Sequence, residues 1–435
     1  VINLERKTNN DNYMFSGLDT VMLAREYGTP LYVVSEDIIK EKCKEIRDSF
    51  ILKYKNVKVA YASKAFLNLA MCKIIEREGL CLDVVSGGEL YTAIKANFPM
   101  EKIFFHGNNK SRAELELAIS NDIGRIVVDN LYELELINNI AKKMNKKSRV
   151  LYRVTPGVES ETHKYVITGQ KDSKFGIPLV DDIIFEAIKR GMEYENIDLL
   201  GFHFHVGSQI FDNKSHIIAT EKIMNLIKEA RDRFGFITKE LNTGGGYGIY
   251  YKQGDNPKPI NYFTDAIMEK VFSKCKEFNL DLPTIIIEPG RWIIGEAGIT
   301  LYTIGTIKEI PGIRKYVAID GGMPDNPRPA LYGAKYEAVV ANKINEEAKE
   351  TVTIAGKCCE TGDILIWDLK APKTEAGDIL AVFSTGAYNY SMANNYNKIP
   401  RPAVVLVSEG NVETIVERET YEDLISRYNI PLHLK

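Results

Sequence analysis

Leu199-Leu200-Gly201-Phe202-His203-Phe204-His205 is an apolar run that ends in two imidazoles spaced two residues apart. Alternate side chains of an extended strand share a face. Leu200, Phe202 and Phe204 are therefore expected on one side, and Gly201, His203 and His205 on the other. A strand covered by helices on both faces reads as more uniformly apolar. The alternation instead suits a barrel, with large apolar residues packed outward on a helix ring and small or polar residues lining the mouth.

The same design recurs along the chain. Val57 to Tyr61 runs into Lys64, Cys81 to Val85 into Ser86-Gly87-Gly88, Ile103 to Phe105 into His106, and Arg125 to Val128 into Asp129. Val150 to Tyr152 ends at Arg153, Leu241 leads to Gly244-Gly245-Gly246, and Ile285 to Ile287 ends at Glu288-Pro289-Gly290-Arg291. With the opening stretch this makes eight short strands, each ending in a residue able to do chemistry. Helical periodicity fills most of the gaps: Phe66 to Gly79, a segment opened by Ser111 with Glu114 as a capping box, Leu131 to Met144, and His216 to Phe234. Strand and helix in alternation argue for parallel pairing. In a (β/α)8 barrel the active site lies at the C-terminal strand ends, where these reactive residues fall. The connection Thr155 to Pro178 is long for a compact domain and is expected to be a functional loop.

After Arg291 the texture changes. Tyr302 to Ile307, Tyr316 to Ile319, Thr351 to Ile354, Ile364 to Trp367, Ile379 to Phe383 and Ala403 to Val407 read as short strands split by Gly, Pro and Asp. The expected organisation is α/β plus all-β. A barrel over 36–285 is joined to a mostly antiparallel β domain, a sandwich or barrel, built from 286–435 with 1–35.

Composition bounds the function. A chain of 435 residues with net charge −3 gives no reason to expect nucleic acid or an anionic membrane as partner. No apolar stretch is long enough to span a bilayer, and the expected location is the cytoplasm. The cysteines, Cys43, Cys72, Cys81, Cys275, Cys358 and Cys359, include no C-x-x-C pair. They are expected to be reduced thiols.

Taken locally, the reactive residues leave alternatives open. Lys64 at a strand end is either an amine nucleophile made reactive by desolvation or a surface lysine. Gly244-Gly245-Gly246 suits a phosphate, as exposed backbone N–H groups do, but tight turns use glycine equally. Glu288-Pro289-Gly290-Arg291 is either a site turn or a salt-bridged one. His203 and His205 lack a third ligand at local spacing, so no metal is expected. A flat imidazole stacked on a planar ring fits His205 better, and a structural role remains open for His203.

Together the motifs resemble the alanine-racemase-like (fold-type III) pyridoxal-phosphate enzymes, and within them the diaminopimelate decarboxylases, over nearly the whole chain. The resemblance is carried by Tyr61-Ala-Ser-Lys64-Ala, His106-Gly-Asn-Asn-Lys110, His205-Val-Gly-Ser208-Gln, Gly244-Gly-Gly-Tyr-Gly248 and Glu288-Pro-Gly-Arg291. Asp320-Gly-Gly-Met-Pro-Asp325-Asn-Pro-Arg328-Pro-Ala-Leu-Tyr332, Cys358-Cys359-Glu360-Thr361-Gly362-Asp363 and Gly386-Ala-Tyr388-Asn-Tyr-Ser-Met392 complete it. It implies decarboxylation of meso-2,6-diaminopimelate to L-lysine, the last step of lysine biosynthesis. The alternative is a sister enzyme acting on ornithine, lysine, arginine or carboxynorspermidine.

The resemblance also implies roles. Lys64 would carry pyridoxal phosphate, His205 would stack on its ring, and Glu288 would pair with the ring nitrogen. Ser208, Gly244, Gly245, Gly246, Pro289, Gly290, Arg291 and Tyr388 would bind the cofactor, mostly at its phosphate. Arg291, Arg328, Tyr332, Glu360 and Tyr388 would bind the substrate. Cys359, from the second subunit of a homodimer with shared sites, would protonate the carbon that loses carbon dioxide. Lys357 stands where the family usually carries Pro, and Tyr247 where Leu or Phe is usual.

Overall fold

The computed structural model describes residues 11–158 and 172–435. Among them the chain divides into two compact units. One comprises Lys40–Ile249 with Asn256–Ile293, and the other 11–39, Tyr250–Asp255 and Ile294–Lys435.

The first unit is a closed barrel of eight parallel strands: β1 (Val57–Ala62), β2 (Cys81–Val84), β3 (Ile103–Phe105), β4 (Arg125–Val128), β5 (Ser148–Thr155), β6 (Ile197–His203), β7 (Glu240–Asn242) and β8 (Thr284–Ile287). Each pairs with the next, and β8 closes on β1. The expected boundary at 285 falls inside β8, whose register Ile285↔Val57 places that strand in the barrel.

Between the strands run α1 (Leu69–Arg77), α2 (Gly87–Lys95), α3 (Arg112–Ser120), α4 (Leu131–Lys143), α5 (Asp181–Glu193), α6 (Lys214–Phe234) and α7 (Ile260–Phe278). The first four start on side-chain caps supplied by the loops at the strand ends. Asn68 accepts from the Met71 N–H, Ser86 from Glu89, Ser111 from Glu114 and Asn130 from Glu133. Each cap satisfies a backbone donor that the helix leaves unpaired and contributes about 1 kcal/mol. Ser111 and Glu114 form the complete capping box.

The barrel interior is layered. At the floor, Glu240 accepts from Arg125 through Nε at 2.7 Å and Nη2 at 2.5 Å, and from Lys58 at 3.0 Å. Above lies an apolar layer of Ala60, Cys81, Phe104, Val127, Leu151, Leu200 and Ile286. At the mouth the register brings Arg153, His203 and Asn242 side by side.

Leu200 therefore packs inside, against the expected alternation. The register of β6 on β5 jumps from Leu199↔Val150 to Gly201↔Leu151, so β6 carries one extra residue and consecutive side chains turn inward. The extra position needs glycine. Its φ is +152°, and a β-carbon there would overlap the Glu240 carbonyl oxygen. Past the bulge the expected faces hold: Phe202 packs outward on Phe236, and His203 points to the mouth.

Most of the connection 155–178 lies outside the described residues. Its end, Ile177–Pro178, pairs in parallel with the last residues of β5.

The second unit is a sheet of mostly antiparallel strands. Its long strand Gly298–Ile310 pairs antiparallel with Arg314–Ile319, Ile379–Val382 and Leu31–Ser35. Two pairings are parallel, Ala403–Ser408 with Leu31–Ser35 and Arg314–Ile319 with Glu350–Ala355. Its core gathers Leu31, Val33, Leu301, Ala381 and Val405 with Tyr13, Phe15 and Leu23. No helix of the described residues is long and apolar enough to cross a membrane.

Candidate active site

Glu288, the first residue after β8, sits buried at the centre of the barrel mouth. Its Oε1 accepts from His106 Nε2 at 2.7 Å and from Asn242 Nδ2 at 2.6 Å, and its Oε2 accepts from His203 Nε2 at 3.0 Å. Three strand ends thus aim donors at one carboxylate. Burial alone raises a carboxyl pKa, but the two imidazoles and their hydrogen bonds hold Glu288 well below the usual range. His203 is neutral at physiological pH, because burial pushes it down to about 4. Its Nε2 must then carry the proton it donates, and its buried Nδ1 has no hydrogen-bond partner among the described residues. Asp83, with Oδ1 at 3.7 Å from His106 Nε2, is pushed up to about 6 by burial.

His205 stands on the same inward side as His203. Its Nδ1 accepts from the Gly245 N–H at 3.3 Å. Burial, together with the charges of Lys64 and Arg153, holds it well below 6.5, so its ring is neutral. Lys64 lies in the turn Ser63–Ala65 directly after β1 and is exposed. Arg153 is half-buried, with its guanidinium 4.3 Å from the Phe175 ring centroid.

The glycine loop passes close beneath neighbouring backbone. A β-carbon at Gly245 would overlap the Glu288 carbonyl oxygen. Gly244 donates its N–H to Asn242 Oδ1 at 3.0 Å and accepts from the Glu288 N–H at 2.8 Å. Its neighbour Gly246, like Gly244, has positive φ. Arg291 opens the short helix Arg291–Ile294, and its Nη2 donates to Ser208 Oγ at 2.9 Å. Pro289 accepts from the Ala62 N–H at 3.2 Å, and Gly290 packs on Ala62 and Ala65. The barrel thus gathers Lys64, His205, Ser208, Gly244 to Gly246, Glu288 and Pro289 to Arg291 at one end.

The remaining candidates lie in the second unit. Arg328 begins the helix Arg328–Tyr332 and is buried, whereas Tyr332 closes that helix half-buried. Tyr388 holds a positive φ of 62°. Cys359 and Glu360 are exposed on a turn. Asp363 ties that turn down, accepting from the Met323 N–H at 2.7 Å and the Cys358 N–H at 2.9 Å. The Cys359 N–H donates to Asn397 Oδ1 at 2.8 Å.

Sequence reasoning missed Asn242 and underrated His203 and His106. The sequence alone gives His106 no role and leaves only a structural one open for His203. Only the fold shows that all three serve Glu288. The far end of the His106 motif is anchored too, since buried Lys110 donates to Glu133 at 2.7 Å and to the Gly107 and Val127 carbonyls at 2.8 Å.

A carboxylate held ionised at a barrel mouth, a lysine after the first strand and a glycine loop beside that carboxylate define a barrel enzyme of the pyridoxal-phosphate type. Residues 36–295 match the family described as "Pyridoxal-dependent decarboxylase, pyridoxal binding domain". The chain is 53% identical over 420 residues to diaminopimelate decarboxylase of Bacillus subtilis, covering 97% of this chain and 96% of that one. The crystal structure of diaminopimelate decarboxylase from M. jannaschii superposes with TM-score 0.92 at 38% identity, covering 99% and 98% of the two chains. The same M. jannaschii enzyme in co-complex with L-lysine also matches with TM-score 0.92 at 38% identity, over 99% of this chain and all of that one. The chain belongs to the diaminopimelate decarboxylase family, lyases whose cofactor is pyridoxal phosphate.

The donor set fits that cofactor. Glu288, fixed as an acceptor, suits a protonated pyridine nitrogen. The backbone from Gly244 to Gly246, free of side chains, suits a phosphate.

Proposed function

We propose that this chain decarboxylates meso-2,6-diaminopimelate to L-lysine, with the following division of labour. Lys64 would hold the cofactor through its amine, and His205 would present a neutral imidazole face to its ring. Ser208, the backbone of Gly244 to Gly246 and Pro289 to Arg291, and Tyr388 hold the phosphate end. Glu288 accepts the ring N–H, and His106, His203 and Asn242 keep it a carboxylate. When bound, pyridoxal phosphate supplies the sink for the electron pair left when the carbon–carboxylate bond breaks.

The other candidates handle the substrate. Arg328, with Arg291, Tyr332, Glu360 and Tyr388, grips the amino-acid end that does not react. A guanidinium matches its carboxylate in charge and geometry. Cys359 Sγ–H, contributed by the second copy in a homodimer, delivers the proton to the carbon that has lost carbon dioxide. A thiol is mostly protonated at neutral pH and can serve this purpose.

The observation that carries the reading is the triple donation to Glu288 at the barrel mouth, which leaves that carboxylate able only to accept. The test is carbon dioxide release by the pyridoxal-phosphate-loaded protein with meso-diaminopimelate, ornithine, lysine and arginine offered separately. Turnover of diaminopimelate with L-lysine as product is expected. Turnover of another amino acid in its place would overturn the substrate assignment.

A further inference from the structure

Arg328 is a buried cation with neutral neighbours. Among the described residues no carboxylate lies within ion-pair distance of its guanidinium, and the groups that act on it are tyrosines. Its Nη1 donates to Tyr336 Oη at 2.5 Å. Its Cζ lies 5.2 Å from the Tyr251 ring centroid and 5.7 Å from that of Tyr336. The two rings meet edge to face, centroids 5.4 Å apart and planes at 89°, so they form a corner around the charge. Both tyrosines are buried.

The corner is braced from behind. Glu337, next to Tyr336, accepts from Tyr250 Oη at 3.1 Å and from the Gln253 N–H at 2.6 Å. Asp255 accepts from the Tyr251 N–H at 3.0 Å. Two segments distant in sequence are thereby locked together, each contributing one ring.

A buried guanidinium is costly unless paired, and a protein carboxylate beside it would neutralise it. Tyrosine does something different. Its ring face and phenolic oxygen hold the cation in place while leaving its net charge uncompensated. We infer that Tyr336 and Tyr251 are specificity-determining positioning residues, which orient Arg328 and keep its charge available for the carboxylate of the substrate's unreacted end. The inference rests on the function proposed above and adds to it residues that set the preference for a substrate with that second carboxylate.

The test uses the cofactor-loaded protein and its Tyr336→Phe and Tyr251→Leu variants. Calorimetry measures binding of L-lysine, which keeps the carboxylate, and of cadaverine, which lacks it. Losing a hydrogen bond to a charged group corresponds to roughly ten- to hundredfold in affinity. Tyr336→Phe should weaken L-lysine by that factor and raise the KM for diaminopimelate similarly. Cadaverine binding should stay unchanged and kcat within about threefold, the split expected when ground-state and transition-state binding fall together. Tyr251→Leu should act in the same direction. Equal loss for both ligands, or no loss for L-lysine, would overturn the inference. If the unaltered protein fails to release carbon dioxide from diaminopimelate, the proposed function fails instead, a separate result.

Discussion

Replacing His106 and His203 together by leucine removes two of the three donors on Glu288 and leaves Asn242. A hydrogen bond to a charged group is worth about 1.5–3 kcal/mol. The pair then accounts for about 3–6 kcal/mol, or about 2–4 pKa units at 1.36 kcal/mol each. The two rings touch, centroids 4.6 Å apart, so the effects need not add and the lower half of that range is the expectation. Glu288 starts well below the ordinary carboxylate range, so its rise brings it into the acidic range open to assay. A depressed folded-state carboxyl contributes stability and function above its unfolded value and loses them as pH falls through its folded value. Raising that folded value moves the loss to higher pH.

The assay is the pH profile of kcat/KM for carbon dioxide release, compared with a His106→Gln/His203→Gln protein that retains an N–H at each position. The leucine protein should show an acid limb displaced upward by about two units from the glutamine protein. Coincident limbs in two folded, cofactor-loaded variants would refute the claim that the imidazoles hold Glu288 ionised.

Two further outcomes can be checked. Glu240→Ala should cost about 3–5 kcal/mol, because it strands the buried Arg125 and half-buried Lys58 charges at the barrel floor; equilibrium urea unfolding reads this as a lower midpoint, and Arg125→Met in the same chain should restore much of it. Mixed dimers of Lys64→Ala and Cys359→Ala chains should recover part of the carbon dioxide release that each variant lacks alone, and inactivity of purified heterodimers would contradict a site shared between copies.

Much of the barrel could be read in advance because its signal is local. Each strand is a short apolar run, and each ends in a polar residue that the mouth requires. What escaped was set by partners far away in sequence. Leu200 was assigned outward because a bulge leaves no mark in an alternating pattern; only the mismatch with β5 reveals the extra residue. Asn242 lies between Leu241 and Thr243, just before three glycines, so nothing local separates it from a turn residue, and its duty exists only because Glu288 arrives from the next strand. The boundary at 285 cuts β8 even though Ile285 to Ile287 itself reads as the last barrel strand. The parallel pairing of Leu31–Ser35 with Ala403–Ser408 joins the two ends of the chain, and no periodicity encodes a partner that distant.

Gly201 also divides β6 into two modules with different obligations. The half from Ile197 to Leu200 answers to the apolar layer, and the half from Phe202 onward answers to Glu288 and its neighbours. An uninterrupted strand would tie both halves to one parity, so a packing change below would be felt by the imidazoles above. With the spare residue between them, the core can drift in sequence while the mouth end keeps its aim.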